Sequence, residues 1–339
     1  MLVLPGCSGG APARPVDGAG GGPRTHPTLR GVDGVGALVD ELARRGGVAG
    51  WGALLQVADR GSLERAIAGG EVVRLARGVC GLAGAPPAVL AAGAVRGVVS
   101  HASAAQLWMV EPLHRPSRTS VTVPRRAHRR CPPGTRLHYA DLRSDEVTGP
   151  VTAPLRTVLD CARSMPFAEA LGVADGFLRR GLVHEAELRG TAEALRGAGR
   201  ARVLEVARAA DPRSDNPFES ALRAVVLRGG AGDFVPQVPL RVAPLGVVRP
   251  DLVDEGRRIV LEADSFAWHG SRAALARDCE RYDALVVADF VVLRFSWEQV
   301  VGRPTEVADA VRAVVARVDA GRALPPGRKK SGRIRGARP

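Results

Sequence analysis

Residues 246–270, GVVRPDLVDEGRRIVLEADSFAWHG, place acids where a buried sheet should have none. Asp251 lies in a first run, 247–253, that is rich in β-branched residues. Asp254-Glu255-Gly256 reads as a hairpin turn, with Gly free to take positive φ. A second strand then covers 258–264. Alternation puts Ile259, Leu261 and Ala263 on one face and Val260, Glu262 and Asp264 on the other. With that second face beside Asp251, three carboxylates converge. Acids held together away from water repel and take up protons unless a cation compensates them. These residues leave two readings open: a divalent-metal site, or the solvated polar face of a one-sided antiparallel sheet.

The elements that must position these acids begin at residue 216. NPFESALRAVVLRGG reads as a helix with Asn216 as cap, Pro217 at its first position and Gly229-Gly230 as its stop. FVPQVPLRV reads as a strand, and the hairpin adds two more. SRAALARDCERYDALVVAD is a helix capped by Ser271, FVVLRFSW a buried strand and PTEVADAVRAVVARVDAG a closing helix. This α-β-β-β-α-β order is the core of restriction-endonuclease-like folds and fills a domain of roughly 100 residues. The turn-rich ADPRSDNP, 210–217, marks its leading boundary.

Residues 216–318 resemble an actinobacterial domain of unknown function that is similar to very-short-patch-repair endonucleases, within the PD-(D/E)XK superfamily. The likeness is carried by Pro250-Asp251, Glu262-Ala263-Asp264 and Trp268-His269. RDCERYDALVVADFVVLRFSW is similar to that family's block RD-x-x-R-x-x-x-L-x-x-x-G-x-x-V-L-R-F-x-W. The resemblance implies that Asp251 and Glu262 hold magnesium, which polarises a scissile phosphate and activates a water. It also matches Glu219 to an acid often added to such sites, although Asn216-x-x-Glu219 reads equally as a capping box. Asp264 stands where the superfamily motif has lysine, and Ser265 where the actinobacterial family has glycine. Of the two histidines that do acid–base work in the repair enzymes, only His269 remains. That makes it the acid–base candidate here, with a hydrogen-bonded strand-end imidazole as the alternative. Asp289 replaces a family glycine and is among the residues that tolerate a left-handed backbone. Arg277, Arg281 and Arg294 would either neutralise phosphates or pair within the fold with Asp278, Asp283 and Asp251. For Arg294, inside a strand, the structural role is expected.

Nearer the start, GVGALVDELARRGG places Val35, Leu38 and Leu42 on one helical face. GWGALLQVADR is a second short helix. SLERAIAGG is a third, starting at Ser62 as cap. EVVRLARGVCGL then alternates as a two-stranded wing, turning near Arg77-Gly78. Three helices and a hairpin form the winged helix-turn-helix order. GEVVRLARGVCGL resembles the wing of AbiEi-type antitoxins, G-x-x-x-R-x-x-R-G-x-Y, with Cys80 where an aromatic is usual. Arg60, Arg65, Arg74 and Arg77 would then contact DNA, the alternative being a solvated Arg-rich face. The third helix carries few base-reading residues, so sequence-tolerant binding is expected.

Between these segments, VVSHASAAQLWMV reads as an amphipathic helix. SRTSVTVP and TRLHYADL read as strands around a basic loop, and APLRTVLDCARSM as a helix from Pro154. RRAHRR, 125–130, suits a nucleic-acid backbone or simply a solvated charge run. His101, His114, His128 and His138 lie at no ligand spacing.

The 339 residues imply an α/β multidomain protein. Its expected segments are a low-complexity 1–33, a winged helix-turn-helix at 34–84, an intermediate α/β segment at 98–210, the nuclease-like domain at 216–318 and a basic tail at 322–339. The net charge of +13 suits a polyanion, and the tail holds seven basic residues and no acid. Five cysteines without metal-ligand spacing suit reduced thiols in a cytosol. No apolar run is long enough for a membrane span. The expectation is a DNA-binding protein with a magnesium-dependent endonuclease domain, acting in genome defence or repair. Its alternative is a non-catalytic, antitoxin-like repressor that keeps a degenerate nuclease fold and partners a cognate toxin. Oligomeric state is left open.

Overall fold

The computed structural model describes residues 34–264 and 272–323. The expected low-complexity start, most of the basic tail, the Ser271 cap, Ser265 and the Trp268-His269 pair lie outside the described residues. The chain is an α/β protein of two compact units, one of residues up to Val110 with His114–Cys161, the other of Glu111–Leu113 with everything from Ala162 onward. Among the described residues no helix is long and apolar enough to cross a membrane.

The first unit opens with α1 (Gly34–Arg44), β1 (Val48–Gly50), α2 (Trp51–Leu54) and α3 (Arg60–Gly69). β2 (Val72–Ala76) and β3 (Val79–Leu82) follow and form an antiparallel sheet in the order β1-β3-β2. Leu38, Leu42, Leu54, Leu63, Val72 and Cys80 fill the core beneath it. The start of α3 differs from expectation. Asp59 is the cap, its carboxylate accepting from the Ser62 backbone N–H at 2.7 Å, and Ser62 is buried inside the first turn. A charged oxygen one turn earlier satisfies the free N–H, so the helix begins before the serine. Gly70 ends it at φ 85, and Gly78 closes the β2–β3 turn at φ 71.

The rest of this unit holds α4 (Pro87–Ala94), β4 (Val98–Val99), α5 (His101–Leu107), β5 (Thr119–Val123) and β6 (Thr135–Tyr139). β7 (Val147–Thr148), β8 (Val151–Thr152) and α6 (Pro154–Ser164) complete it, with α6 running across the break between units. The strands form one sheet, β6-β5-β4-β8-β7. The single helix expected over 98–110 is instead a strand and a short helix. Val98 and Val99 pair on β5, and Val99 also pairs with Val151 of β8, where β-branched residues pack well. His101, the first residue of α5, is left-handed (φ 55) and turns the chain into that helix.

In the second unit, α7 (Phe167–Arg179) packs on α10 (Pro217–Arg228), α9 (Arg200–Ala209) on α7, and α8 (Glu185–Ala194) on α9. Every residue of α7 from Ala170 to Leu178 is buried, and Pro217 lies directly over Gly172. Asp175 and Arg223 form a buried ion pair at 2.6 Å, and Asp175 also accepts from the Asp211 backbone N–H at 2.8 Å. The unit break at residues 161/162 therefore falls inside the segment 98–210, because α7, buried against α10, carries α9 and α8 with it while the strands of the segment belong to the sheet of the first unit.

The remaining elements are β9 (Val235–Pro236), β10 (Leu240–Val242), β11 (Gly246–Val248), β12 (Leu252–Asp254), β13 (Ile259–Asp264), α11 (Arg272–Val287), β14 (Val291–Ser296), α12 (Trp297–Gly302) and α13 (Pro304–Ala323). The central sheet has the order β14-β13-β12-β9, with β13 and β14 parallel and the other pairs antiparallel. Ile259 and Leu261 face a core with Phe218, Leu222, Phe295 and Val311. Val253 and Val260 face Leu240, Val248, Ala284 and Leu285 on the other side. The two faces of β13 are those its alternation implies.

Three local expectations change. The run 234–242 is two strands in different sheets, because Gln237 takes φ 55 between Pro236 and Pro239, neither of which has an N–H for a ladder. The run 247–253 divides likewise around Arg249-Pro250-Asp251, so β11 pairs with β10 and only β12 pairs with β13. At the hairpin the left-handed residue is Arg258 (φ 55) rather than Gly256. Asp254 stabilises that turn by accepting from the Arg257 backbone N–H at 2.9 Å and pairing with its guanidinium.

Candidate functional site

Asp251 immediately precedes β12, and Glu262 follows Leu261, the residue paired with Leu252 in the β12–β13 ladder. The two acids thus extend one antiparallel register and stand side by side on one face. Glu219 enters from the first turn of α10, where Pro217 at the helix start and the Asn216 cap fix its direction. Glu219, Asp251, Glu262 and Asp264 all line one cleft, together with Asp278, Arg281, Tyr282 and Leu285 of α11 and with Arg294, which stands beside Glu262 in the β13–β14 register. Of the acids and the histidine singled out in the sequence, only His269 lies outside the described residues.

Each acid has a defined set of partners. Asp251 accepts from the Ala263 backbone N–H at 2.8 Å. Glu219 accepts from the Asp215 backbone N–H at 2.8 Å and from the Asn216 side-chain amide at 2.6 Å. Its capping role and its place in the cleft therefore coexist. The Gln237 amide bridges the two, donating to Glu219 at 3.0 Å and, more weakly, to Asp251 at 3.4 Å. Gln237 holds this position through its left-handed backbone, whose N–H donates to the Asp251 carbonyl at 3.2 Å. Arg281 donates to Glu262 at 2.8 Å and to the Arg249 carbonyl at 2.9 Å. Arg294 pairs with Asp264 at 2.7 Å, and its guanidinium stacks over the Tyr282 ring at 4.3 Å. The Tyr282 hydroxyl is buried without a hydrogen-bond partner among the described residues.

Burial sets the electrostatics. Desolvation, then the neighbouring Asp251 charge, pushes Glu219 up to about 7. The same two causes push Glu262 up to about 8 against the opposing pull of Arg281. Asp251 is also raised by burial, against the Ala263 N–H and Arg281. After burial, the charge of the neighbouring Asp251 is what keeps the proton on Glu262. The cleft thus gathers more buried carboxyls than Arg281 neutralises.

Among the described residues no three or more His, Cys, Asp or Glu side chains stand together as a ready metal cage. Asp251 and Glu262 nevertheless offer hard oxygen donors, the small protein set that magnesium takes when water supplies its other ligands. A proton now settles their repulsion where a divalent cation would also serve, so the donor set fits that ion.

Two site residues escaped the sequence reading, Gln237 and Tyr282. For Gln237 a signal exists: an amide between two prolines in an otherwise apolar run, VPQVP. Arg281 was paired there with an aspartate, and its carboxylate partner is Glu262. Arg294 does make an internal pair, as expected for a strand residue, but from a position lining the cleft.

In the first unit Arg60, Arg65, Arg74 and Arg77 are all exposed. Arg60 pairs with Glu64 at 3.0 Å, and Arg65 donates to the Ser62 hydroxyl at 2.8 Å. The guanidinium groups of Arg60 and Arg74 lie 6.0 and 5.4 Å from the Trp51 ring centroid. Arg77 has no side-chain partner among the described residues.

No family model matches the chain, and no curated protein matches it. Among solved structures it is similar to the RV2827C protein from Mycobacterium tuberculosis, with 14% identity over 57% of this chain and 81% of that one. The TM-score is 0.30, too low for that likeness to carry an argument about fold or function.

Proposed function

We propose that the chain is a cytosolic DNA-binding protein whose 216–318 segment is a magnesium-dependent endonuclease of restriction-endonuclease-like fold, acting in genome defence or repair. The observation that carries this reading is that Glu219, Asp251 and Glu262 line one cleft together with Arg281 and Arg294. Leaving aside the β10–β11 ribbon, the order α10, β9, β12, β13, α11, β14 matches the α-β-β-β-α-β core of such nucleases. Asp251 and Glu262 would hold the ion. Magnesium bound there would supply positive charge to the scissile phosphate and acidify a water. Gln237 keeps Glu219 and Asp251 oriented, and Arg294 offers a guanidinium to a phosphate oxygen from beside Asp264, the position at which the superfamily has lysine. In the first unit the order α1, β1, α2, α3, β2, β3 supports a winged helix, with Arg60, Arg65, Arg74 and Arg77 as sequence-tolerant phosphate contacts.

The test is plasmid cleavage in magnesium by the full chain beside Asp251→Ala and Glu262→Ala. Nicking by the parent and loss in both variants is expected. Equal nicking by all three identifies a contaminant and removes the nuclease reading.

A second reading has its own observation: Asp264 replaces the motif lysine and is already neutralised by Arg294. This favours an antitoxin-like repressor, partnered by a toxin, whose cleft no longer turns over DNA. Titration calorimetry with magnesium or manganese separates the two, since a lost site shows no binding that depends on Asp251.

A further inference from the structure

β5 and β6 are parallel neighbours, so residues 124–134 must carry the chain back along the sheet without a helix. Pro124 ends the β5 run. The Ala127 backbone N–H donates to the Pro124 carbonyl at 2.9 Å, a turn with Arg125 and Arg126 at its corners. Ala127 then packs against the core of this sheet, which pins the loop and leaves His128, Arg129 and Arg130 exposed. One carboxylate is at hand. Asp141 accepts from the Arg125 backbone N–H at 3.1 Å and lies 3.9 Å from its guanidinium. Arg126, Arg129 and Arg130 have no acid or hydrogen-bond partner among the described residues.

At the same end of the sheet β6 finishes in Tyr139, paired in register with Val123. Tyr139 is 50% exposed, and among the described residues it is the one exposed Phe, Tyr or Trp. Its ring lines a single open cleft together with Arg125, His128, Arg129 and Arg130.

An aromatic face among unpaired guanidinium groups is the chemistry that stacks an unpaired base while neutralising the phosphates on either side of it. In a duplex the bases stack on one another and none is offered to the ring. An acidic peptide would use the arginines and leave the ring idle. A membrane surface needs apolar residues to insert, and the loop's apolar residue, Ala127, is turned into the core. We propose that residues 124–130 and Tyr139 form a binding site for single-stranded nucleic acid, with Tyr139 as the stacking platform and Arg126, Arg129 and Arg130 as phosphate contacts. The site lies wholly in the first unit and does not depend on the endonuclease reading.

The test is fluorescence anisotropy of the full chain with labelled oligo-dT, oligo-U and a hairpin duplex, comparing the parent with Tyr139→Ala, Tyr139→Phe and the pair Arg129→Ala/Arg130→Ala. Tyr139→Ala should weaken oligo-dT and oligo-U roughly tenfold and leave the duplex unchanged, whereas Tyr139→Phe keeps the affinity. The double arginine variant should lower the slope of log affinity against log salt by about 1.4 on single strands. The exposed position of Tyr139 predicts an unchanged melting temperature, which separates lost binding from lost folding. Binding is read in EDTA, where the cleft holds no metal, so failure of the cleft reading and failure of this site are told apart. Unchanged oligo-dT affinity in Tyr139→Ala overturns the proposal. So does an equal loss of duplex and single strand, which marks a plain charge patch, or equal competition by polyglutamate, which marks a surface for acidic proteins.

Discussion

Glu262 and Glu219 keep their protons in the folded protein well past the pH at which a free glutamate loses them, and this fixes the direction of a pH effect. Their folded values, about 8 and about 7, lie above the ordinary 4.5. Between those limits the folded chain binds more protons than the unfolded one, so stability falls as pH rises. Without divalent cation, the unfolding midpoint of the second unit should drop progressively from about pH 5 to about pH 8. Glu262→Gln removes one of the two groups and should flatten much of that slope. Magnesium should restore stability at the alkaline end, where both acids want to be charged. A midpoint that climbs over this range in the parent protein would show that the acids are not held together as described.

At the scale of elements, caps and turns carry the testable content. Asp59 satisfies the first turn of α3 through the Ser62 N–H, so Asp59→Ala should cost about 1 kcal/mol, read by chemical denaturation. An unchanged midpoint would return the cap to another residue. What was legible in the sequence is what short-range rules govern. Alternation along 259–264 placed Glu262 on the face away from Ile259 and Leu261. Asn216 caps α10 as its spacing implies, accepting from the Phe218 and Glu219 N–H groups. Asp289 takes the left-handed φ of 59 expected of a glycine replacement. What was not legible depends on partners far away in the chain. β11 looks like the beginning of the hairpin strand until β10 claims it; the cap of α3 was misplaced for a different reason, because Asp59 and Ser62 are both good caps three residues apart. The short α12 went unread although its signal is local: Ser296 and Gln299 form a capping box, yet Ser296 and Trp297 read as the end of the strand and residues 298–303 carried no expectation.

At the scale of the whole molecule, the Asp175–Arg223 pair joins α7 to α10 in a setting where neither charge reaches water. Removing one partner strands the other, so Arg223→Met alone should destabilise the second unit by about 3–5 kcal/mol. Replacing both, Asp175→Leu with Arg223→Met, should recover most of that loss, because two apolar chains need no counter-charge. If the double variant is as unstable as the single one, the pair does more than cancel its own burial.

The burial of α7 also governs where the chain can be divided. A scalpel guided by composition would cut at the turn-rich residues 210–217, and the fragment beginning there would carry every acid of the cleft. It would also leave the α7-facing side of α10 bare, and such apolar exposure drives aggregation. A piece beginning at residue 162 keeps that side covered. We expect the longer piece to be monodisperse by light scattering and to melt cooperatively, and the shorter one to precipitate. Anyone isolating the smallest piece with an intact cleft must therefore carry along residues 162–209, none of which lines it.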